Sequence, residues 1–251
     1  MQKFQKALNF LLPILSVLSI AAIWAVAAAK VDSEYILPSP IESLSAMFAL
    51  FGEREFYNAL FNTLLRALEA FAISFVLSFV LAALSDKFGI AAKIISPVIA
   101  ITRALPTIAI VLLLLFWTTS YIAPIIVTML VVLPTIYTEI LNALSSVDKK
   151  QIEMCKVFKV SERDVILKVK APQILPSMCK TVGSGFSLNL KLMVAAEVIS
   201  QTAYSIGYML NTSKIYFEVS TMIALVLVTV AIGLIIEGVF SFLSKKAGKW
   251  K

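Results

Sequence analysis

Residues 148–172 read DKKQIEMCKVFKVSERDVILKVKAP, a charged segment set in a chain that is otherwise almost continuously apolar. Seven of its side chains are basic (Lys149, Lys150, Lys156, Lys159, Arg163, Lys168, Lys170) and four are acidic (Asp148, Glu153, Glu162, Asp164). Charge alone describes a solvated loop kept on the cytoplasmic side of a membrane. The internal order says more. Ile152, Met154, Cys155 and Phe158 recur at spacings of three and four, which gives a short helix an apolar face. Ser161-Glu-Arg-Asp164 has the form of a capping box: the Ser161 hydroxyl accepts from the Asp164 amide, and Asp164 reaches back to the Ser161 amide. A second helix then carries Val165, Ile166 and Val169 on one face. Pro172 is expected to stop it, because the residue before a proline is pushed out of helical geometry. Two short amphipathic helices joined by a tight bend therefore lie beside the membrane. Glu153, Glu162 and Asp164 would be repelled by anionic headgroups. The two apolar faces suit a groove on a partner protein better than a lipid surface.

Outward from this segment, the chain is a polytopic membrane protein. Of its 251 residues 60% are hydrophobic and 15% charged, against roughly 45–50% apolar in soluble domains. Several runs approach or exceed the roughly 20 apolar residues that cross a bilayer. Six spans can be drawn, about 8–29, 59–84, 94–117, 122–144, 178–199 and 221–243, in a single transmembrane domain over 1–251. The run from Phe10 to Ala29 is long for a cleaved signal segment and reads as a retained first span. After it, Leu37-Pro-Ser-Pro40 precedes a short amphipathic helix, Ile41–Phe51.

Basic residues set the orientation. With the N-terminus inside, sixteen lie in inside segments and three (Lys30, Arg54, Lys214) outside, while Arg66, Arg103 and Lys191 fall within spans. Both termini and the 148–172 segment are thus expected on the cytoplasmic side. The net charge of +7 follows this topology and does not point to nucleic acid. The sequence has no histidine, and its two cysteines, Cys155 and Cys179, cannot make a multi-cysteine metal site. No G-x-x-x-x-G-K-[ST] phosphate-binding loop occurs.

The charged segment resembles the EAA loop of permease subunits of bacterial ATP-binding-cassette (ABC) importers. Glu153-Met154-Cys155 stands at the family's E-A-A, and Pro172 falls in register with its closing proline. Lys159 stands where the family usually has a bend glycine, and Ala171 where it has leucine. Without glycine's backbone freedom the bend is expected to be more open. Tyr35-Ile-Leu-Pro-Ser-Pro40, Arg103-Ala-Leu-Pro106, Phe116-Trp117, Ala196-Glu197 and Ile206-Gly207-Tyr208 are similar to stretches of the taurine, sulfonate and nitrate branch.

The resemblance implies an all-α integral membrane protein with six transmembrane helices, like a type I ABC importer permease, in the bacterial cytoplasmic membrane. It implies a second permease chain (a homodimer), two cytoplasmic ATPase subunits that bind ATP, and an extracytoplasmic solute-binding protein. The chain itself would be no enzyme and hold no cofactor. Glu153, Met154, Cys155, Phe158, Lys159, Ser161, Asp164 and Pro172 would couple it to the ATPase. Sulfonates, taurine, nitrate, related small anions and pyrimidine-type vitamin precursors fit as solutes. The alternative is an ion-coupled secondary carrier that uses membrane carboxylates such as Glu197; a third is a subunit that only anchors or regulates a partner.

The ionisable residues within spans leave two readings open. Arg66 and Glu69, three apart, can pair on one helix. Arg103, about 13 Å along the third span from its inner end, needs a carboxylate, helix-end carbonyls or water at that depth. Arg103 and Glu197 either line the translocation path or pair with each other as a fixed bridge between helices.

Overall fold

The computed structural model describes residues 2–248, with side chains from Leu11 onward except Pro13 and Lys149. Lys249 and Lys251, and the side chains of Lys3, Lys6 and Lys149, counted in the charge asymmetry, lie outside the described residues. The described chain is helical, without strands. In order come α1 (Gln2–Val31), α2 (Pro40–Leu50), α3 (Arg54–Lys87), α4 (Gly89–Ala104), α5 (Thr107–Leu114), α6 (Ile122–Ser145), α7 (Lys149–Val157), α8 (Glu162–Asp164), a π-helical stretch Val165–Lys170, α9 (Ala171–Ser200), α10 (Ile206–Ile215) and α11 (Val219–Ala247). Among the described residues, five helices are long and apolar enough to span a membrane, six if the bent pair α4–α5 counts as one span.

The chain packs as two compact units, one of residues 1–57 and 209–228, the other of residues 58–208 and 229–251. In the first, the Trp24 indole donates to the Pro38 carbonyl at 3.0 Å, pinning the turn after α1. That turn delivers Ser39, whose hydroxyl accepts from the Glu42 amide while the Glu42 carboxylate accepts from the Ser39 amide. With Pro40 at the first helical position, this capping box fixes where α2 starts.

In the second unit α6 and α9 form the central pair, with α3 against both. Phe71, Ile99, Val132, Ile136 and Ile140 build one buried cluster, and Ala67, Ala70, Leu190 and Met193 a second. Lipid tails are as apolar as leucine, so association rests on close packing and hydrogen bonds between helices. Both are present. Ser78 donates to the Leu133 carbonyl, Ser85 bonds the Tyr137 hydroxyl, and Asn189 donates to the Ala67 carbonyl at 2.7 Å. Gly183 lets α9 approach α11 so closely that a Cβ there would stand 2.8 Å from the Phe240 Cβ.

Two sequence expectations are corrected. The third span, expected unbroken over 94–117, is two helices bent by 89° at Leu105–Pro106. Leu105 precedes a proline and takes an extended conformation, φ −70° and ψ 129°. The shorter helix, α5, then packs Val111 against Val127 of α6 and Ala196 of α9. The second helix of the charged segment, expected to end at Pro172, instead continues through the π-helical stretch into α9 without a break. The Ala171 amide bonds back to the Ile166 carbonyl, a wide turn that leaves room for the ring of Pro172 and does not need the N–H proline lacks.

Gly183→Val should overpack the α9–α11 contact and lower stability by about 1–3 kcal/mol. Thermal unfolding in detergent checks this, and Phe240→Gly in the same chain, which removes the Cβ that the new side chain meets, should restore part of the loss.

Candidate functional site

Two places in the second unit gather the residues singled out by sequence. The first is the bend after α7. Asp148 caps α7 by accepting from the Lys150 amide at 2.9 Å. At the other end the Lys159 amide bonds the Lys156 carbonyl and the Val160 amide reaches the Cys155 carbonyl at 2.9 Å. This is a Schellman closure, and it requires a left-handed residue at Lys159. Lys159 supplies it, with φ 52°. The bend expected to open for want of glycine is therefore closed. The two satisfied carbonyls offset a conformation that costs a non-glycine residue about 1–2 kcal/mol.

Beyond the bend, the Ser161 hydroxyl accepts from the Asp164 amide at 3.1 Å. The return arm of the expected capping box differs: the Asp164 carboxylate takes the Ser161 hydroxyl at 2.9 Å, not its amide. Aspartate is one methylene shorter than the glutamate of the usual box, and its other oxygen is held by Lys168 at 2.8 Å.

Around this bend Met154, Val157 and Phe158 are 56, 78 and 74% exposed, with Glu153 exposed beside them. Ile166 and Leu167 add a second exposed apolar pair. Cys155, expected on the same face, is buried within the chain. The segment is tied to the span ends. Lys170 bonds Asp86 at 2.7 Å, and Gln173 bonds Gln151 at 2.7 Å.

The second place is a buried charge cluster where α3, α9 and α10 meet. Glu197 is fully enclosed and Arg66 nearly so. Arg66 Nε donates to Glu197 Oε1 at 2.9 Å, and Nη2 lies 2.8 Å from the same oxygen but off the line of its N–H, adding charge more than a second aligned bond. Glu197 Oε2 accepts from the Thr63 hydroxyl at 2.9 Å and from the Gly207 amide at 3.3 Å. Thr63 in turn accepts from the Ile206 amide. Gly207 must be glycine, since a Cβ there would sit 2.4 Å from the Glu197 Cβ. The Tyr121 ring covers the Arg66 guanidinium at 5.3 Å. The quoted stretches Ala196-Glu197 and Ile206-Gly207-Tyr208 thus meet at one point.

The pairings proposed from sequence are redistributed. Arg66 pairs with Glu197 and not with Glu69, whose carboxylate accepts from the Tyr121 hydroxyl at 3.4 Å. Arg103 does not meet Glu197. Its Nη2 donates to the Pro134 carbonyl and the Thr138 hydroxyl of α6. No signal in one sequence joins residues 131 positions apart. Among the described residues, no group of three or more His, Cys, Asp or Glu side chains could hold a metal ion.

Residues 74–249 match the family described as binding-protein-dependent transport system inner membrane component. The chain belongs to this permease family. The permease is 27% identical to a protein of Escherichia coli described as an aliphatic sulfonates transport permease, SsuC, over 85% of this chain and 82% of that one. It is 21% identical to the Bacillus subtilis protein of the same description, over 92% and 84%. It is 23% identical to the E. coli taurine transport system permease protein TauC, over 90% and 84%. Among solved structures, a chain of the MetNI methionine ABC transporter in an inward-facing conformation aligns with TM-score 0.66 at 15% identity, over 77% of this permease and 96% of that chain. A chain of an amino acid ABC transporter aligns with TM-score 0.65 at 17% identity, over 76% and 94%. The fold is that of type I ABC importer permeases.

Removing one partner of the buried pair should cost about 3–5 kcal/mol. Arg66→Met alone should therefore lose most folded protein in detergent, judged by size-exclusion profile and melting temperature. Arg66→Met with Glu197→Met should recover much of it, because no uncompensated charge remains. At the bend, Lys159→Gly should keep or raise stability, whereas Lys159→Val should lower it by about 1–3 kcal/mol, a β-branched side chain being poorly suited to a left-handed residue. Limited proteolysis across 150–170 reads that difference.

Proposed function

We propose that this permease is the membrane subunit through which an ABC importer admits small organic sulfonates such as taurine, driven by separate ATPase subunits that grip the bend after α7. The observation that carries this reading is the exposed apolar group Met154, Val157 and Phe158 beside Glu153, held on a closed and capped bend. Exposed aromatic and aliphatic side chains on a fixed scaffold are anchors for a partner pocket. Lys156 and Lys159 beside them keep such a surface soluble. Membership of the permease family and the sequence's lack of a phosphate-binding loop support separate ATPase subunits. The charge asymmetry supports a cytoplasmic position for the bend and both termini.

Two such chains would line one path, fed by an extracytoplasmic binding protein, and ATPase closure would shift the balance between inward-open and outward-open states. The sulfonate assignment is supported by likeness to SsuC and TauC. An ion-coupled carrier would need a carboxylate free to titrate in the path, a role for which Glu197, committed to Arg66 and Thr63, is poorly placed.

Co-expression with a neighbouring ATPase gene tests the partnership. The wild-type chain should carry the ATPase through affinity purification. Phe158→Ala should weaken the association by about 2 kcal/mol, the scale of a hot-spot aromatic, and Glu153→Lys should abolish it while membrane insertion persists. Undiminished association and uptake in both variants would rule out docking at this bend.

A further inference from the structure

Of the three cations within spans, only Arg66 is buried. Lys191 and Arg103 are exposed on the surface of the chain. Lys191 lies on α9 nine residues before Ser200, so it sits about 13 Å below the end of that helix. A hydrocarbon core about 30 Å thick with its outer edge near Ser200 would hold Lys191 well inside it. Among the described residues the Lys191 ammonium has no hydrogen-bond or ion-pair partner. Arg103 is anchored on α6 at Pro134 and Thr138, about 18–24 Å along that helix from Ile122. The two cations thus stand at different depths.

Neither position suits lipid. A lysine's four-carbon stem falls short of the headgroups from that depth. Ionisable residues within spans face the interior of a bundle or a water-filled cavity. These two are on the outside of their own bundle, so the water they need lies in a space that this chain alone does not enclose. The surface around Lys191 fits such a space: Ser184 and Ala195, both small, share its helix face at helical spacing. The other carboxylates of the spans have separate settings. Glu69 is bonded by Tyr121, Glu139 follows Thr138 half-buried on α6, Glu197 is locked to Arg66, and Glu237 is exposed toward the end of α11.

We propose that Lys191 and Arg103 are two cationic stations along the solute path, which they make a path for small anions. The proposal rests on the permease reading and gives it a substrate class from the chain's own residues, apart from any relative's name. Arg103 has already spent donors on α6, and Lys191 offers a single ammonium. Each station is therefore a weak site, and two weak sites in series let an anion enter, pass from one to the other and leave.

The test uses the full chain with its co-expressed ATPase in lipid nanodiscs, with Cys155→Ser and Cys179→Ser as background. Lys191→Cys, and separately Ala195→Cys with Lys191 retained, are treated with two aqueous thiol reagents of similar size: sulfonatoethyl methanethiosulfonate (anionic) and trimethylammonioethyl methanethiosulfonate (cationic). Both positions should react, and the anionic reagent should be favoured. Adding Arg103→Gln should slow the anionic reagent about tenfold and speed the cationic one, the scale of one charge at about 10 Å in a medium of intermediate dielectric, and so reduce that preference. If Lys191→Cys does not fold, Ala195→Cys carries the measurement, and Lys191→Gln should then reduce its preference likewise. Silence of both cysteines would place this face against lipid or a neighbouring chain and overturn the proposal, as would reaction without charge preference or a preference indifferent to Arg103. ATPase co-purification, scored on the same samples, reports separately on the permease reading.

Discussion

The Arg66–Glu197 pair is the interaction on which the second unit depends. An ion pair enclosed by helices within a bilayer has no solvent to fall back on, so the carboxylate must find its hydrogen bonds within the protein. Glu197 accepts three hydrogen bonds, from Arg66 Nε, the Thr63 hydroxyl and the Gly207 amide, and Arg66 Nη2 adds its charge at 2.8 Å. Those partners come from α3 and from the start of α10, so one carboxylate fixes the angle between α3 and α9 and the return of the chain after α9. The turn between them is shaped to suit. Gln201 adopts φ 49°, the Thr202 amide closes on the Glu197 carbonyl, and Gly207 then passes against Glu197 where a larger residue would collide.

The charged segment solves a different problem. It must hold apolar side chains in water without collapsing onto the spans. Caps do this at each joint: Asp148 before α7, the Schellman closure at Lys159, and Ser161 before α8. Each is worth about 1 kcal/mol, enough to order a short helix that nucleation cost would otherwise leave marginal. The exposed ion pairs along it, such as Lys87 with Glu162 at 3.7 Å, contribute little to stability.

How much was legible in the sequence follows from which signals are local. The five spans other than the third, the Ser161 cap and the exposed Met154 and Phe158 are local patterns that lie where their residues indicated, whereas Cys155 turns inward and Leu167, not Val165 or Val169, is exposed beside Ile166. The Ser39–Glu42 box is equally local, and S-x-x-E ahead of an apolar run announces it. The break at Leu105–Pro106 rests on a single proline, which a hydropathy window averages out. The continuation through Pro172 needed knowledge of the wide turn before it, which has no sequence signature. Least legible were the partners of Arg66, Arg103 and Glu197, because a charge in a span demands a partner without saying on which helix it stands.

The unbroken run from Glu162 through the π-helical stretch to Ser200 has a mechanical consequence. It is a shaft about 58 Å long, with exposed apolar side chains at one end and the Glu197 lock near the other. No loop intervenes to absorb a displacement. A shaft of that length turned by roughly ten degrees about its middle moves each end by about 5 Å. Its compliance lies in the π-helical turn and at Pro176, both toward the charged end. Beyond Pro176 the stiff part carries Lys191 and Glu197 together, so one tilt would move the exposed cation and the sealed corner as a single body.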